Sequence, residues 1–113
     1  MADVTVRRAG SGRAIDPPLH FDVSPVQVLG LDDDACPWAV VRSTYHVGGT
    51  AAWAKVAVDT VYVVLSGDLN LTLQNAEHHL SAGDTVHVAA GTFRSLTNTG
   101  QEAAQVLVIR PRQ

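Results

Sequence analysis

The feature that most constrains this chain is a series of short apolar runs of period two, cut repeatedly by turn chemistry. Leu69, Leu71 and Leu73 alternate with Asn70, Thr72 and Gln74, and Val86 and Val88 alternate with Thr85 and His87. Successive side chains of a strand point to opposite faces, so this alternation predicts half-buried strands. Trp38 to Val47 is rich in Val, Thr, Tyr and Trp, and Val26 to Leu29 is a shorter candidate. Val61 to Leu65 and Val106 to Ile109 are continuous β-branched or aliphatic runs, which predict strands buried on both faces. Gly48-Gly49, Ser66-Gly67-Asp68, Asn75-Ala76, Ala82-Gly83-Asp84, Ala90-Gly91 and Thr99-Gly100 punctuate them. No segment carries a sustained helical period with a cap. Many short strands with regular turns predict an all-β sandwich or small barrel.

At 113 residues the chain reads as one domain, residues 1–113. Residues 1–18 are ambiguous: Val4 and Val6 alternate as a strand would, whereas Gly10-Ser11-Gly12 reads as loop. The net charge of −3, without a block of like charges, argues against a nucleic-acid partner. No apolar run is long enough to span a membrane, and the N-terminus lacks a signal-peptide pattern. Cys36 is the single cysteine and reads as a loop residue beside Asp32-Asp33-Asp34 and Pro37, so a reduced, cytoplasmic setting is expected.

The punctuating residues share one register. Thr60 to Leu69 leads through Gly67 to Gly83-Asp84, then Ala90-Gly91-Thr92-Phe93-Arg94, then Asn98. This frame resembles the two motifs of the cupin family. The first runs from a glycine over five residues to His-x-His, three or four residues to Glu, and six residues to Gly. The second runs from Gly over five residues to Pro-x-Gly, then two residues to His and three to Asn. Gly48 and Gly67 fit the first motif, and Gly83, Gly91 and Asn98 fit the second. The resemblance covers roughly Val40 to Ile109 and implies a single-domain cupin-like jelly-roll barrel, similar to small conserved-barrel cupins.

The family's metal ligands do not carry over. With the three-residue spacing the two histidine positions hold Ala54 and Val56, the glutamate position holds Thr60, and Arg94 replaces the last histidine. With the four-residue spacing Trp53 and Lys55 would line the site instead. Ala89 stands where the second motif has proline. Alanine and valine offer no donor atom, threonine is a poor ligand, and a guanidinium has no lone pair to give. The expectation is a cupin with its metal ligands replaced and no cofactor.

The substitutions describe a different site. Ala54 and Val56 leave apolar room, Thr60 adds a hydroxyl, and Arg94 brings a cation whose planar fork suits two-point binding of a carboxylate. Arg94 either anchors an anionic or enolic group of a small ligand, pairs internally with Asp59 or Glu77, or reaches solvent. Tyr62 shares the parity of Thr60 and faces the same way, as a proton donor or a barrel-lining aromatic. His87 is a general acid or base if it faces the interior, and a surface residue if Val86 and Val88 do. Of Tyr45 and His46, neighbours on one strand, one faces the pocket. Phe93 is expected to close the core, and Trp53 and Lys55 to face away. His78-His79 reads as a solvated hairpin edge, and a metal held unconventionally by His46 and His87 needs further ligands.

These residues leave three functions open. The first is metal-independent proton-transfer chemistry on a small carbonyl or carboxylate compound: isomerisation, cyclisation, dehydration or lyase chemistry, with Arg94, His87 and Tyr62 catalytic and Thr60, Ala54, Val56, Tyr45 and His46 around the ligand. The second is a non-catalytic small-molecule binder, and the third a structural protein with a filled pocket. The resemblance also implies a homodimer, with Val23 to Leu31 as a strand for exchange.

Overall fold

A computed structural model describes residues 3–113. Nine strands run through it: β1 (Arg13–Ala14), β2 (His20–Leu29), β3 (Trp38–Lys55), β4 (Thr60–Ser66), β5 (Asp68–Thr72), β6 (Glu77–Ser81), β7 (Thr85–Val88), β8 (Phe93–Thr97) and β9 (Ala104–Pro111). The described residues contain no helix. All strand pairs are antiparallel, in the order β6-β5-β8-β3-β9-β4-β7, with β2 also paired to β3 and β1 to β2. The architecture is an all-β, cupin-type jelly roll.

The 18-residue β3 organises the sheet. Its first half, Trp38 to Tyr45, pairs with β9, and its second half, Thr50 to Lys55, pairs with β8. The Gly48-Gly49 pair and a register shift between Ala51 and Ala54 let one strand turn from one partner to the other. Val23 to Leu31, the segment marked for exchange, lies largely in β2 and pairs with β3 of its own chain.

Two motif residues have structural explanations. Gly67, at φ 77°, closes the β4–β5 turn so near β9 that a Cβ there would sit 2.8 Å from the Cα of Ala104. Positive φ and close approach together demand glycine. Asn98 is 1% exposed; its side-chain amide donates to the carbonyls of Tyr45 (3.0 Å) and Glu102 (2.7 Å) and accepts from Gly100 N–H (2.9 Å). It pins the loop after β8 to β3.

The core is Tyr45, Ala51, Val56, Tyr62, Val64, Leu69, Leu71, Leu80, Val88, Leu96, Ala104 and Val106. Alternation places them: Leu69 and Leu71 of β5 point in, as do Thr60, Tyr62 and Val64 of β4. The expectation that Val61 to Leu65 is buried on both faces needs correction. Val61 and Val63 are only half-buried and Leu65 is exposed, because the outer face of β4 has no layer over it in this chain. The same applies to β9, where Leu107 and Ile109 are half-buried.

Candidate active site

A cavity of about 290 Å³ opens inside one end of the barrel. Its wall is mainly β3 (Val41, Ser43, Tyr45, Ala52, Ala54) with Val56 just beyond it, closed by Thr60 and Tyr62 of β4, Arg94 of β8, and Val108 and Arg110 of β9. The segment Pro17-Pro18-Leu19 and His20 cover its mouth. It is tied to the wall where Ala52 N–H donates to Leu19 O at 2.8 Å.

Arg94 dominates the interior. It is 8% exposed and pairs across the sheet with Ala54. Its Nε donates to the Tyr62 hydroxyl at 3.0 Å and its Nη1 to Ala52 O at 3.2 Å. Both acceptors are neutral, and the side chains lining the cavity include no aspartate or glutamate. Asp59 instead accepts from His87 Nε2 at 2.9 Å and Ala90 N–H at 3.3 Å, while Glu77 faces Thr72 at 3.4 Å. Neither internal partner considered for Arg94 meets it. Nη2 has no partner among the described residues, yet no buried side-chain nitrogen or oxygen is orphaned, so Nη2 opens onto the cavity.

The two phenols complete this surface. Tyr62 accepts from Arg94, which leaves its own proton free for a ligand oxygen. Tyr45 is 2% exposed, and burial, reinforced by the neighbouring Tyr62, pushes its phenol well above the ordinary range. It is therefore a hydrogen-bond donor, not a base, at neutral pH. Thr60 is buried, and its hydroxyl donates to Val58 O at 2.9 Å, leaving lone pairs toward the cavity.

The sequence-derived residues thus fall into two groups. Arg94, Tyr62, Thr60, Ala54, Val56 and Tyr45 converge on one cavity. His87 and His46 do not join them. His87 points outward from β7, because Val88 of the opposite parity takes the core, and it is exposed beside Asp59. His46 is exposed and hydrogen-bonded to Ser24 at 3.0 Å, while its neighbour Tyr45 takes the interior. Phe93 is a correction: Arg94 uses the inward parity of β8, so Phe93 turns out and stacks on exposed Trp53 with ring centroids 6.1 Å apart. Lys55, expected to face away, borders the cavity rim.

Sequence reasoning missed His20 and Arg110. His20 lies just past the ambiguous first eighteen residues, where no period announces a strand. Arg110 sits in a terminal basic group that reads as solvated.

The family model for the cupin domain matches residues 41–110. The chain is a cupin. A β-D-galactosidase of Mycobacterium tuberculosis, Rv1717, is 40% identical over 93 residues, spanning 80% of this chain and 79% of that protein. The polyketide cyclase RemF of Streptomyces resistomycificus superposes with a TM-score of 0.83 over 100% of this chain and 81% of its own, at 15% identity. KdgF of a Halomonas species superposes with a TM-score of 0.76 over 97% of this chain and 96% of its own, also at 15% identity. Such structural likenesses establish the fold.

The four positions of the family's ligand set, Ala54, Val56, Thr60 and Arg94, do come together in this cupin's cavity. The side chains there do not fit a metal: two lack donor atoms, one hydroxyl is engaged with Val58 O, and the fourth is a cation. Elsewhere among the described residues, no three His, Cys, Asp or Glu side chains gather as a metal would need. No helix of the described residues is long and apolar enough to cross a membrane.

Proposed function

We propose that this cupin works without a metal, binding a small organic anion with a carbonyl or enol group and catalysing proton transfer on it. The observation that carries this reading is Arg94, a nearly buried cation that meets only neutral oxygens in a cavity without a carboxylate side chain. An unpaired buried charge costs several kcal/mol, and an anionic ligand supplies the missing partner. The apolar wall of Ala54, Val56, Val41 and Val108 suits a hydrocarbon or aromatic body. A cavity of about 290 Å³ suits a small molecule rather than an oligomer.

The chemistry follows from where charge can be held. Arg94 and the Tyr62 O–H together form a donor pair for an oxygen that becomes negative, the arrangement that stabilises enolates and related intermediates. Isomerisation, cyclisation, dehydration and lyase reactions that begin by removing a proton beside a carbonyl all pass through such charge. RemF is a cyclase by name, and its shared fold is compatible with this class.

The name of the mycobacterial relative suggests glycoside cleavage as a second reading. Most glycosidases need two carboxyl groups about 5–9.5 Å apart across the bond. No Asp or Glu side chain lines this cavity, so the site favours anion chemistry over that mechanism. Calorimetric titration with phenylpyruvate and with galactose tests the choice. The expected result is saturable binding of the carboxylate that Arg94→Met weakens about 10–100-fold; galactose binding with no carboxylate binding would reverse it.

A further inference from the structure

The cavity contains one imidazole, His20, whose chemistry is fixed by its surroundings. Its Nδ1 lies 2.8 Å from Pro18 O. A carbonyl oxygen only accepts, so Nδ1 carries the hydrogen of that bond and the neutral ring has its lone pair on Nε2. His20 lines the same cavity as Arg94 and Tyr62.

The backbone around the ring is held in an unusual shape. Leu19 has φ 60° and Asp22 φ 54°, the described chain's two non-glycine residues with positive φ, and they flank His20 and Phe21. A leucine in the left-handed region is strained, and such strain concentrates where surrounding structure fixes a functional geometry. Here the fixing is visible. Leu19 O accepts from Ala52 N–H, His20 registers with Ala51, and the backbone of Asp22 packs directly on Gly49, where a Cβ would collide with Asp22 O.

We propose that His20 is the general base of this cavity, its Nε2 taking a proton from the carbon beside the carbonyl of an anion held by Arg94. This rests on the anion-binding reading above. In the step the C–H bond breaks and its electron pair moves into the adjacent carbonyl, giving an enolate whose oxygen accepts from Arg94 and the Tyr62 O–H. The proton resides on Nε2. Its delivery to the enolate oxygen or to another carbon of the conjugated system restores neutral His20, so no oxidant or co-reactant is consumed. The substrate class is a small 2- or 3-oxocarboxylate with an apolar body.

The protonation state agrees with this role. Burial lowers the affinity of His20 for a second proton, and the charges of Arg94 on β8 and Arg110 on β9 act in the same sense, against the opposing Pro18 carbonyl and Asp16. Lys55 at the rim, the phenols of Tyr45 and Tyr62, and the terminal residue Gln113 also line the cavity.

The test uses phenylpyruvate, which combines a carboxylate, an enolisable ketone and an aromatic body. Binding is followed by calorimetry, and exchange of its benzylic protons in deuterium oxide by proton NMR. Wild type is expected to bind and to accelerate exchange, with a rate that rises with pH and levels off near neutrality. His20→Gln is expected to bind within about an order of magnitude and to exchange about 10²–10⁴-fold more slowly. If the wild type binds without accelerating exchange, or His20→Gln exchanges as fast as wild type, His20 is not the base and the anion site stands. If the wild type does not bind, the anion reading itself fails. Ring nitrogen shifts of His20 in the wild-type protein give a readout that needs no variant. The Nδ1–H tautomer is expected, and an Nε2–H tautomer overturns the proposal.

Discussion

Two clusters of arginine in this molecule are built on opposite principles. At Asp34, whose side chain is shut off from solvent, one carboxylate accepts from Arg7 Nη2 at 2.9 Å and from the backbone N–H of Gly30, Leu31 and Cys36, with Arg112 Nη1 at 3.5 Å. Arg7 also reaches Asp33 at 3.0 Å. This clamp ties the N-terminal arm and the C-terminal end to one loop. At Arg94 the guanidinium is 8% exposed, meets two neutral oxygens, and faces a cavity. Arg7 is thus hydrogen-bonded to two carboxylates, and Arg112, held by the carbonyls of Leu31, Asp34 and Cys36, stands within ion-pair reach of one, whereas Arg94 has none. That contrast separates an arginine that holds the fold from one that awaits a ligand.

Substitutions at the two clusters should break the contrast in opposite directions. The largest effect is expected from Asp34→Ala, which strips the partners from three backbone N–H groups and weakens two arginines at once. Its thermal midpoint should fall markedly, with ligand binding preserved in the folded fraction. Arg94→Met should do the reverse. Stability should stay within about 1 kcal/mol, since an unpaired buried cation is replaced by an apolar chain. Affinity for phenylpyruvate should drop about 10–100-fold, the worth of charge-assisted hydrogen bonds of about 1.5–3 kcal/mol. Denaturation midpoints and calorimetry check both arms.

Ala54→Asp sharpens the comparison by giving Arg94 what Arg7 already has. Ala54 is the cross-strand partner of Arg94, so the new carboxylate stands beside the guanidinium. Carboxylate binding should be lost while the thermal midpoint holds or rises. Binding that survives in this variant would mean that Arg94 is not the anchor.

The smallest expected effect is in pH dependence. His20 is held below its ordinary value of about 6.5, chiefly by burial. The unfolded chain then takes up the proton first as pH falls. The stability this group contributes is complete above about 6.5 and is lost as pH drops through its folded-state value. His20→Gln should flatten that part of the stability curve. Asp59 lies below the carboxylate range because His87 and Ala90 N–H bond to it, so its contribution disappears only at more acidic pH. Chemical denaturation across pH 4–8 resolves the two windows (the unperturbed Asp value being about 3.9).

The fold was legible wherever alternation met a turn. Leu69-Leu71, Val86-Val88 and the glycines at 67, 83 and 91 announced β5, β7 and their connections. β8 was hidden, because Phe93 to Thr97 places Arg94 on its buried face, and a charged residue at an inward position masks the apolar period. β6 showed only as the solvated hairpin edge at His78-His79, both exposed, because Leu80 is its one core residue. At the site, motif spacing brought Ala54, Val56, Thr60 and Arg94 together correctly, since register is a backbone property that survives replacement of side chains. It left open which way His87 and His46 face, because spacing alone does not say which of two neighbours turns inward. Parity decides which residue of a pair turns inward, and the core took Val88 and Tyr45, leaving His87 and His46 outside. His20 reaches the cavity through a strained turn after Pro17-Pro18, a tertiary arrangement with no local period.

The most direct measurement of the central claim is a calorimetric titration of phenylpyruvate into chelator-treated protein. Saturable binding of one molecule per chain, undiminished by removal of metal, is expected. Binding that vanishes after chelation and returns with an added divalent cation would contradict it.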